Sequence, residues 1–386
     1  MRVAYVLPYL QTPSGWRNHS TSFINAIREH VTPVLLVPAA DEEVARQLFP
    51  EDPVFTLPVT QQASLSNRAG IKRLTEAYRA VQNKRLPDVD LVHSLEAYPT
   101  GLVGSWLAQK LKVPHVLTTH GTYGVIWHER RLDRLAYQQV LRRAKAICPV
   151  SHGTAGLMKR YFKRALRKTQ VCPILNGNDF YKTVPRAAAL ERKFPETPTI
   201  ISIGDVKPRK GQDVSLAAFA KVQAQLPQAR YFIIGHYQEN DYFRDLQRFI
   251  AENEVKNVTF TGTVSEEALR NYYETASLFV LTPQQVGLQF EGFGLVYLEA
   301  GAYGLPVVAT RTGGVPDAVK DGITGFLREP GDVDAIAQAM LRLLTDIPLA
   351  RRMGRANRQW AETLTWESYA KEQLDVYQKL LNEGRV

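Results

Sequence analysis

Little in this chain of 386 residues speaks for a secreted or membrane-spanning protein. Two cysteines, Cys148 and Cys172, make no disulfide framework, and a reducing cytoplasm is the inference. No apolar run approaches the roughly eighteen residues that a membrane span needs. No small-residue cleavage site follows MRVAYVLPYL, so that stretch reads as a first strand rather than a signal peptide. Low-complexity segments and short-period repeats are missing too. A Rossmann dehydrogenase is disfavoured, because no G-x-G-x-x-G with a downstream ribose-binding acid follows the first strand. Acids are scarce in one half only. Residues 1–190 hold 13 Asp and Glu against 26 Lys and Arg, while residues 191–386 hold 25 against 22.

The basic excess gathers in WHERRLDRLAYQQVLRRAKA (127–146) and LMKRYFKRALRKT (157–169). Both read as helices with basic faces beside apolar positions such as Leu157, Tyr161 and Leu166. Such faces are either solvated or suited to an anionic membrane surface or anionic acceptor. Nucleic acid is the weakest reading, because aromatic-interleaved basic motifs are missing. The localisation that follows is cytoplasmic, with peripheral attachment at the inner face of a membrane as the further expectation.

What is present is a rhythm. VAYVL (3–7), VTPVLLV (31–37), LVHS (91–94), HVLTT (115–119), AICPV (146–150) and VCPIL (171–175) read as strands, with helical spacing between several of them. The rhythm restarts at TIISIG (199–204) and runs through RYFIIG, VTFTG, LFVLT, PVVAT and GFL. Strands alternating with helices predict parallel sheets of the α/β class. The polar, proline-bearing stretch 181–198 separates two such series. Two doubly wound domains follow, 1–185 and 186–365. In such sheets ligands bind beyond the carboxyl ends of the strands.

The segment EGFGLVYLEAGAYGLPVVATRTGGVPDAV (291–319) carries the chemistry. It reads as a loop, a helix from Leu295 and a strand. Glu291 and Glu299 lie about 80° apart around a helix, so ordinary amphipathic logic does not explain them. Gly292 and Gly294 at the helix start would let bare backbone approach an anion such as a diphosphate. Each acid would then accept hydrogen bonds from a polyol on either side of it. Glu291 as a solvated loop acid and Glu299 as a helix-surface acid remain the plain alternatives.

E-G-F-G-L-V-Y-L-E followed by A-x-A-x-G-x-P-V-V-A-T-x-x-G-G-x-P resembles family 4 of the retaining glycosyltransferases, with wording close to the phosphatidylinositol mannosyltransferase subgroup. The resemblance covers nearly the whole chain. It implies the GT-B fold, two Rossmann-like domains facing across a cleft, and a nucleotide-sugar donor with UDP- or GDP-sugars favoured. A helix at about 366–386 would pack back on the first domain. In SIGDVKPRKGQDVSLAAF (202–219), Lys210 falls on the family's phosphate-binding lysine and Arg209 would add charge. Asp205 stands where the family has an arginine, and is expected to turn away or to pair with Lys207 or Arg209. Around Gly262 to Val264 the backbone would touch the nucleobase, and IIGHY (233–237) departs from the family at His236 and Tyr237. Phe293, Gly294, Leu295 and Glu299 complete the implied donor site with Glu291.

In the first domain, PSGWRNHSTSFINAI (13–27) occupies the family's double-glycine position, with Ser14 replacing the first glycine and Gly15 keeping the second. Gly15 would meet the donor, and Ser14 and His19 the acceptor. His120 in HVLTTHGTYG (115–124) matches the histidine that approaches the transferred sugar, while His93 reads as structural. The implied reaction uses His120, Glu291 and Lys210 without a nucleophile from the protein. No metal and no other cofactor is expected. D-V-D occurs at 88–90 and 332–334, and neither copy is well placed for a metal. The partners expected are the donor, a hydroxyl acceptor that is lipid-linked or anionic, and an anionic membrane surface. A rival reading is a non-catalytic nucleotide-sugar-binding protein, supported by Asp205 and Ser14. Two-carboxylate glycosidase chemistry is disfavoured by the basic, glycine-rich surroundings.

Overall fold

The computed structural model describes residues 1–11, 15–58 and 63–383. The chain forms two compact units. Unit 1 joins residues 1–177 to the C-terminal segment from Trp366, and unit 2 is Asn178–Thr365.

Unit 1 is built on a seven-stranded parallel sheet. Its strands are β1 (Arg2–Val6), β2 (Thr32–Pro38), β3 (Val54–Leu57), β4 (Leu91–Ser94), β5 (His115–Thr119), β6 (Ala146–Pro149) and β7 (Gln170–Val171), in the order β3-β2-β1-β4-β5-β6-β7. Its helices are α1 (Gly15–Ile27), α2 (Glu42–Leu48), α3 (Arg68–Asn83), α4 (Thr100–Leu111), α5 (Arg131–Arg143) and α6 (His152–Phe162). Side chains alternate along each strand, so β1 feeds two cores. Val3 and Tyr5 join Phe23 and Ile24, whereas Ala4 and Val6 join Ala77, Val81 and Val103. Burial on both faces explains why these strands read as continuous apolar runs.

Unit 2 begins with α7 (Phe180–Thr183) and α8 (Arg186–Leu190). Its six parallel strands are β8 (Thr199–Ile203), β9 (Arg230–Ile234), β10 (Val258–Gly262), β11 (Leu278–Leu281), β12 (Val307–Thr310) and β13 (Gly325–Arg328). They lie in the order β10-β9-β8-β11-β12-β13. The helices are α9 (Gln212–Gln225), α10 (Asp241–Glu252), α11 (Glu266–Thr275), α12 (Leu295–Ala302), α13 (Val315–Ala318), α14 (Val333–Thr345) and α15 (Ile347–Thr363). Local chemistry sets several starts. The side chains of Asn240, Ser265, Asp332 and Asp346 each accept a backbone N–H of the first turn. Both sheets are doubly wound, and each has one switch point, β1/β4 in unit 1 and β8/β11 in unit 2.

The last helix, α16 (Trp366–Glu383), belongs to unit 1, where Trp366, Tyr369 and Tyr377 enter the core beside Val3, Tyr5 and Phe23. The crossing from unit 1 falls at 177/178, eight residues before the boundary expected at 185. The reason is Arg358. This residue is 2% exposed, and its guanidinium donates to the carbonyls of Tyr181 (2.7 Å), Val184 (3.1 Å) and Ala302 (2.6 Å), tying the proline-bearing connector to unit 2.

Three further expectations are corrected. Strand β3 escapes the sequence reading because PVFTL is short and follows an acidic, proline-bearing turn. β7 is two residues long rather than 171–175, since Pro173 has no N–H to donate, although the Cys172 and Ile174 amides still reach Ile147 O and Pro149 O. The helix expected over 157–169 ends at Phe162. Replacing Arg358 by Met orphans three buried carbonyls, so unit 2 should lose about 3 kcal/mol or more in urea unfolding. An unchanged midpoint would show that the connector needs no such anchor.

Candidate active site

The site grows from the switch point of unit 2. β8 and β11 are neighbours there, and the loops that leave their carboxyl ends are bonded to each other. Gly211 lies at φ +69° with Thr282 O only 1.9 Å from where a Cβ would sit. The Thr282 hydroxyl donates to Gly211 O at 2.7 Å, and the Gln284 amide donates to Arg209 O at 2.9 Å. These bonds fix the single-turn 3₁₀ segment Pro208–Lys210 beside the loop that carries Glu291.

The consequence is an ion pair across the switch point. Lys210 Nζ lies 2.6 Å and Arg209 Nη1 3.2 Å from the same Glu291 oxygen, Oε2. The Lys210 and Glu291 side chains are each 12% exposed. Burial opposes ionisation of Glu291, but the charges and hydrogen bonds of Lys210 and Arg209 outweigh it and hold the carboxyl below its usual range. The backbone of Glu291 is held as firmly. Its carbonyl accepts the Gly314 amide at 2.9 Å, and Gly313, at φ +52°, has that oxygen 2.2 Å from where a Cβ would sit. The sequence displays these two glycines, but nothing in their chemistry says that they clamp an acid 22 positions earlier.

Helix α12 opens at Gly294, φ +90°, whose bare backbone lies against the Tyr297 ring. Phe293 is buried at 2%, while Leu295 is half-buried. Glu299 sits one turn further on, half-buried beside the phenols of Tyr273 and Tyr303. Burial pushes its carboxyl up to about 7, with Tyr273 opposing the shift. The two acids therefore differ in kind, one held charged by cations and one favouring its proton. Asp205 pairs with Lys207 at 2.7 Å, one of the two partners expected for it. Val264 follows β10, half-buried, beyond Gly262, which lies at φ +69° near the Tyr237 ring. Tyr237 itself is stacked on Phe243.

Unit 1 offers a different set. Gly15 opens α1, exposed and with space around it, while Ser14 lies outside the described residues. His120 follows β5 and places Nε2 3.0 Å from Leu95 O, the residue after β4. A carbonyl only accepts, so Nε2 carries the proton and Nδ1 of the neutral ring is an acceptor. Burial lowers this imidazole to about 4, against the Leu95 hydrogen bond, so it is neutral at pH 7. His19 does not fit a direct acceptor contact. It is 1% exposed, sits within hydrogen-bond distance of the Tyr369 hydroxyl (3.1 Å) and packs edge-on against His120, Trp366 and Tyr369. His93 is fully buried between Tyr377 and Thr118. Glu96, 4% exposed, was not singled out in the sequence; its carboxylate accepts the Tyr98 amide, and burial raises it to about 8 despite that bond.

Three of the four D-V-D acids have structural partners through their side chains. Asp90 accepts the Arg2 amide, Asp332 caps α14, and Asp334 pairs with Lys221. No group of three or more His, Cys, Asp or Glu among the described residues is placed to hold a metal ion.

Residues 187–360 match the family described as glycosyl transferases group 1, and residues 14–177 match the glycosyl transferase 4-like domain. The chain is 31% identical over 297 residues to the GDP-mannose-dependent alpha-(1-6)-phosphatidylinositol monomannoside mannosyltransferase of Mycolicibacterium smegmatis, covering 75% of this chain and 76% of that protein. The chain belongs to the family 4 glycosyltransferases. The D-inositol 3-phosphate glycosyltransferase of Streptomyces avermitilis is 30% identical over 77% of this chain and 66% of its own length. Among solved structures, Anabaena HepE in complex with UDP and glucose superposes with a TM-score of 0.72 at 18% identity, over 98% of this chain and 100% of that one. Sucrose-phosphate synthase from Thermosynechococcus elongatus gives 0.72 at 22% identity, over 99% of each. This glycosyltransferase therefore has the GT-B fold, with a Rossmann-like sheet in each unit.

The two acids make opposite contributions to stability. Glu299 keeps its proton in the folded chain where the unfolded chain has lost it, so stability falls as pH rises from 4.5 to about 7. Glu291, held below the usual value, stabilises above that value and stops doing so on acidification. Glu299→Gln should match the wild type near pH 5 and exceed it at pH 8 by on the order of 1–3 kcal/mol. Thermal melts at both pH values check this, and equal melts at pH 8 would reject it. Gly313→Ala should move the Glu291 carbonyl and lower activity without unfolding unit 2, read by a coupled assay beside circular dichroism.

Proposed function

We propose that this glycosyltransferase is a retaining enzyme that takes a sugar from a nucleotide-sugar donor, UDP- or GDP-linked, and passes it to a hydroxyl of a lipid-linked or anionic acceptor. The observation that carries the reading is the Glu291–Lys210–Arg209 cluster at the switch point of the unit 2 sheet. Lys210 and Arg209 would hold the donor diphosphate and neutralise the charge that grows on it as the sugar leaves, the electrostatic term that commonly dominates such reactions. Glu291, released from part of its pairing, would accept sugar hydroxyls. Glu299 would accept the ribose hydroxyls, with Phe293, Gly294 and Leu295 contributing backbone at the start of α12 and Val264 facing the base. Within unit 1, the exposed backbone of Gly15 and the Nδ1 acceptor of His120 are the polar groups that a sugar ligand would use.

The chemistry is a same-face displacement. The bond from the anomeric carbon to phosphate oxygen breaks, the acceptor oxygen bonds to that carbon from the same side, and the departing phosphate oxygen takes the acceptor proton. No nucleophile of the protein and no metal or other cofactor enters the step, because the two cations do the work of charge neutralisation. The pairing of Asp205 with Lys207 supports a diphosphate site despite that acid. The similarity to mannosyltransferases that act on phosphatidylinositol derivatives supports a lipid-linked acceptor, reached at the inner face of a membrane to which the basic helices of unit 1 attach the enzyme.

A panel of UDP-, GDP- and ADP-sugars, with and without EDTA, tests the reading by nucleotide release and thermal shift. One donor should be slowly hydrolysed equally well in EDTA. Lys210→Ala and Glu291→Ala should each lower that rate by about 10²–10³-fold, and Glu299→Ala should weaken donor stabilisation. If no donor is cleaved or stabilises the protein, the catalytic reading fails.

A further inference from the structure

The chain has two cysteines, and the unit 1 sheet brings them together. β6 and β7 run parallel with Ile147 opposite Val171. The ladder continues past β7, because the Cys172 amide donates to Ile147 O at 2.8 Å and the Ile174 amide to Pro149 O at 2.9 Å. That register sets Cys148 opposite Cys172. Both side chains project to the face on which Ala146 and Ile174 pack with Trp366, Tyr369 and Tyr377 of α16. Adjacent strands lie about 4.8 Å apart, within the Cα separation that a disulfide spans. Both thiols are free.

The two thiols differ in access. Cys148 is fully buried, whereas Cys172 is half-buried at the edge of the sheet. Burial pushes both thiols up, and Cys172 adds to the rise at Cys148, while Lys379 of α16 opposes the rise at Cys172. An oxidant therefore reaches Cys172 first and finds Cys148 behind it as the second thiol. β7 has a neighbour on one side only and Pro173 interrupts its ladder, so Cys172 is free to close the remaining gap.

Cys148 is also one end of a chain of contacts that reaches His120. Its thiol is hydrogen-bonded to the Gln373 amide of α16. Gln373 is fully buried, its Nε2 reaches the Tyr369 hydroxyl at 3.4 Å, and its Oε1 finds no partner among the described residues. The Tyr369 hydroxyl lies 3.1 Å from His19 Nε2, and the His19 ring packs edge-on against His120 at 4.5 Å. Drawing the Cys148 sulfur towards Cys172 takes it from Gln373. A buried amide that loses a partner recovers it only by moving, and Tyr369 moves with it.

We propose that Cys148 and Cys172 are a reversible oxidation site, at which a peroxide joins them in a disulfide and the loss of the Cys148–Gln373 bond slows the enzyme through Tyr369 and His19. In the first step the Cys172 sulfur attacks a peroxide oxygen. The O–O bond breaks, and the departing hydroxide takes the proton that Cys172 gave up and leaves as water. The Cys148 sulfur then attacks the Cys172 sulfenic acid. The S–S bond forms, the S–O bond breaks, and the second hydroxide leaves as water with the Cys148 proton. Two thiols and one hydrogen peroxide become one disulfide and two waters, the sulfurs being oxidised and the peroxide reduced. The oxidation site is independent of the donor chemistry, whereas its effect on rate rests on the transferase reading.

The full chain is treated with dilute hydrogen peroxide, and its thiols are titrated in denaturant beside a non-reducing peptide map. Both thiols should disappear, a peptide pair linked through Cys148 and Cys172 should appear, and dithiothreitol should reverse both changes. Cys148→Ala should carry oxygen on Cys172 and form no link. Donor hydrolysis by the unaltered chain should fall by about threefold or more on oxidation and recover on reduction. In Cys172→Ala it should not respond to peroxide, which separates the bridge from methionine oxidation. The proposal is overturned if both thiols survive, if they gain oxygen without linking, or if the link joins two chains on a non-reducing gel. It is equally overturned if the disulfide forms and hydrolysis does not change. If the reduced, unaltered chain hydrolyses no donor, the catalytic reading fails, and the thiol count and peptide map alone decide the oxidation site.

Discussion

One carboxylate with two cations organises the candidate site. Glu291 leaves β11, Lys210 and Arg209 leave β8, and these strands become neighbours only because the sheet reverses its winding direction between them. Ion pairs on an open surface are worth little, but this one is largely enclosed, so separating the partners leaves charges in a poor solvent. The pair thus anchors the two loops to each other across the switch point. Gly211 against Thr282 and Gly313 against Glu291 are close approaches that a side chain would block, which is why glycine stands at both.

Unit 1 repeats the architecture with different chemistry. At its own switch point, among the described residues of the loops after β1 and β4, Glu96 is buried and its carboxyl favours its proton. His120 reaches from the next strand to Leu95, and a neutral imidazole, kept so by burial, leaves one nitrogen to accept a hydroxyl. His19, Tyr369 and Trp366 pack around that ring, so the C-terminal helix shapes the surroundings of a residue about 250 positions earlier in the chain. One sheet plan therefore carries an enclosed ion pair in one unit and a neutral imidazole in the other.

Much of the fold was legible because parallel strands buried on both faces are continuous apolar runs. TIISI, LFVL and VVAT need no context to be recognised, and the helices between them show in their caps and spacing. β3 is hidden because an edge strand of four residues gives too little pattern, and β7 reads too long because Pro173 interrupts it. The domain boundary was misplaced for another reason. The connector's composition resembles a linker, yet one buried guanidinium, remote in sequence, takes its carbonyls. The basic stretch 157–169 looked as apolar as 127–146, but Phe162 and Leu166 turn inward, while Leu132 and Leu135 face out.

The sequence by itself determined the α/β class, the two-domain plan, the positions of Lys210, Glu291, Glu299 and His120 on loops or helix starts, and the family. Those properties depend on local periodicity and on residues close together in the chain. Only the tertiary structure decided which of these residues meet. It joined Glu291 to Lys210 across 81 positions, gave Glu291 and Glu299 opposite proton preferences, and enclosed His19. Desolvation and Coulomb interaction depend on distance and burial in space, and no spacing along the chain encodes them.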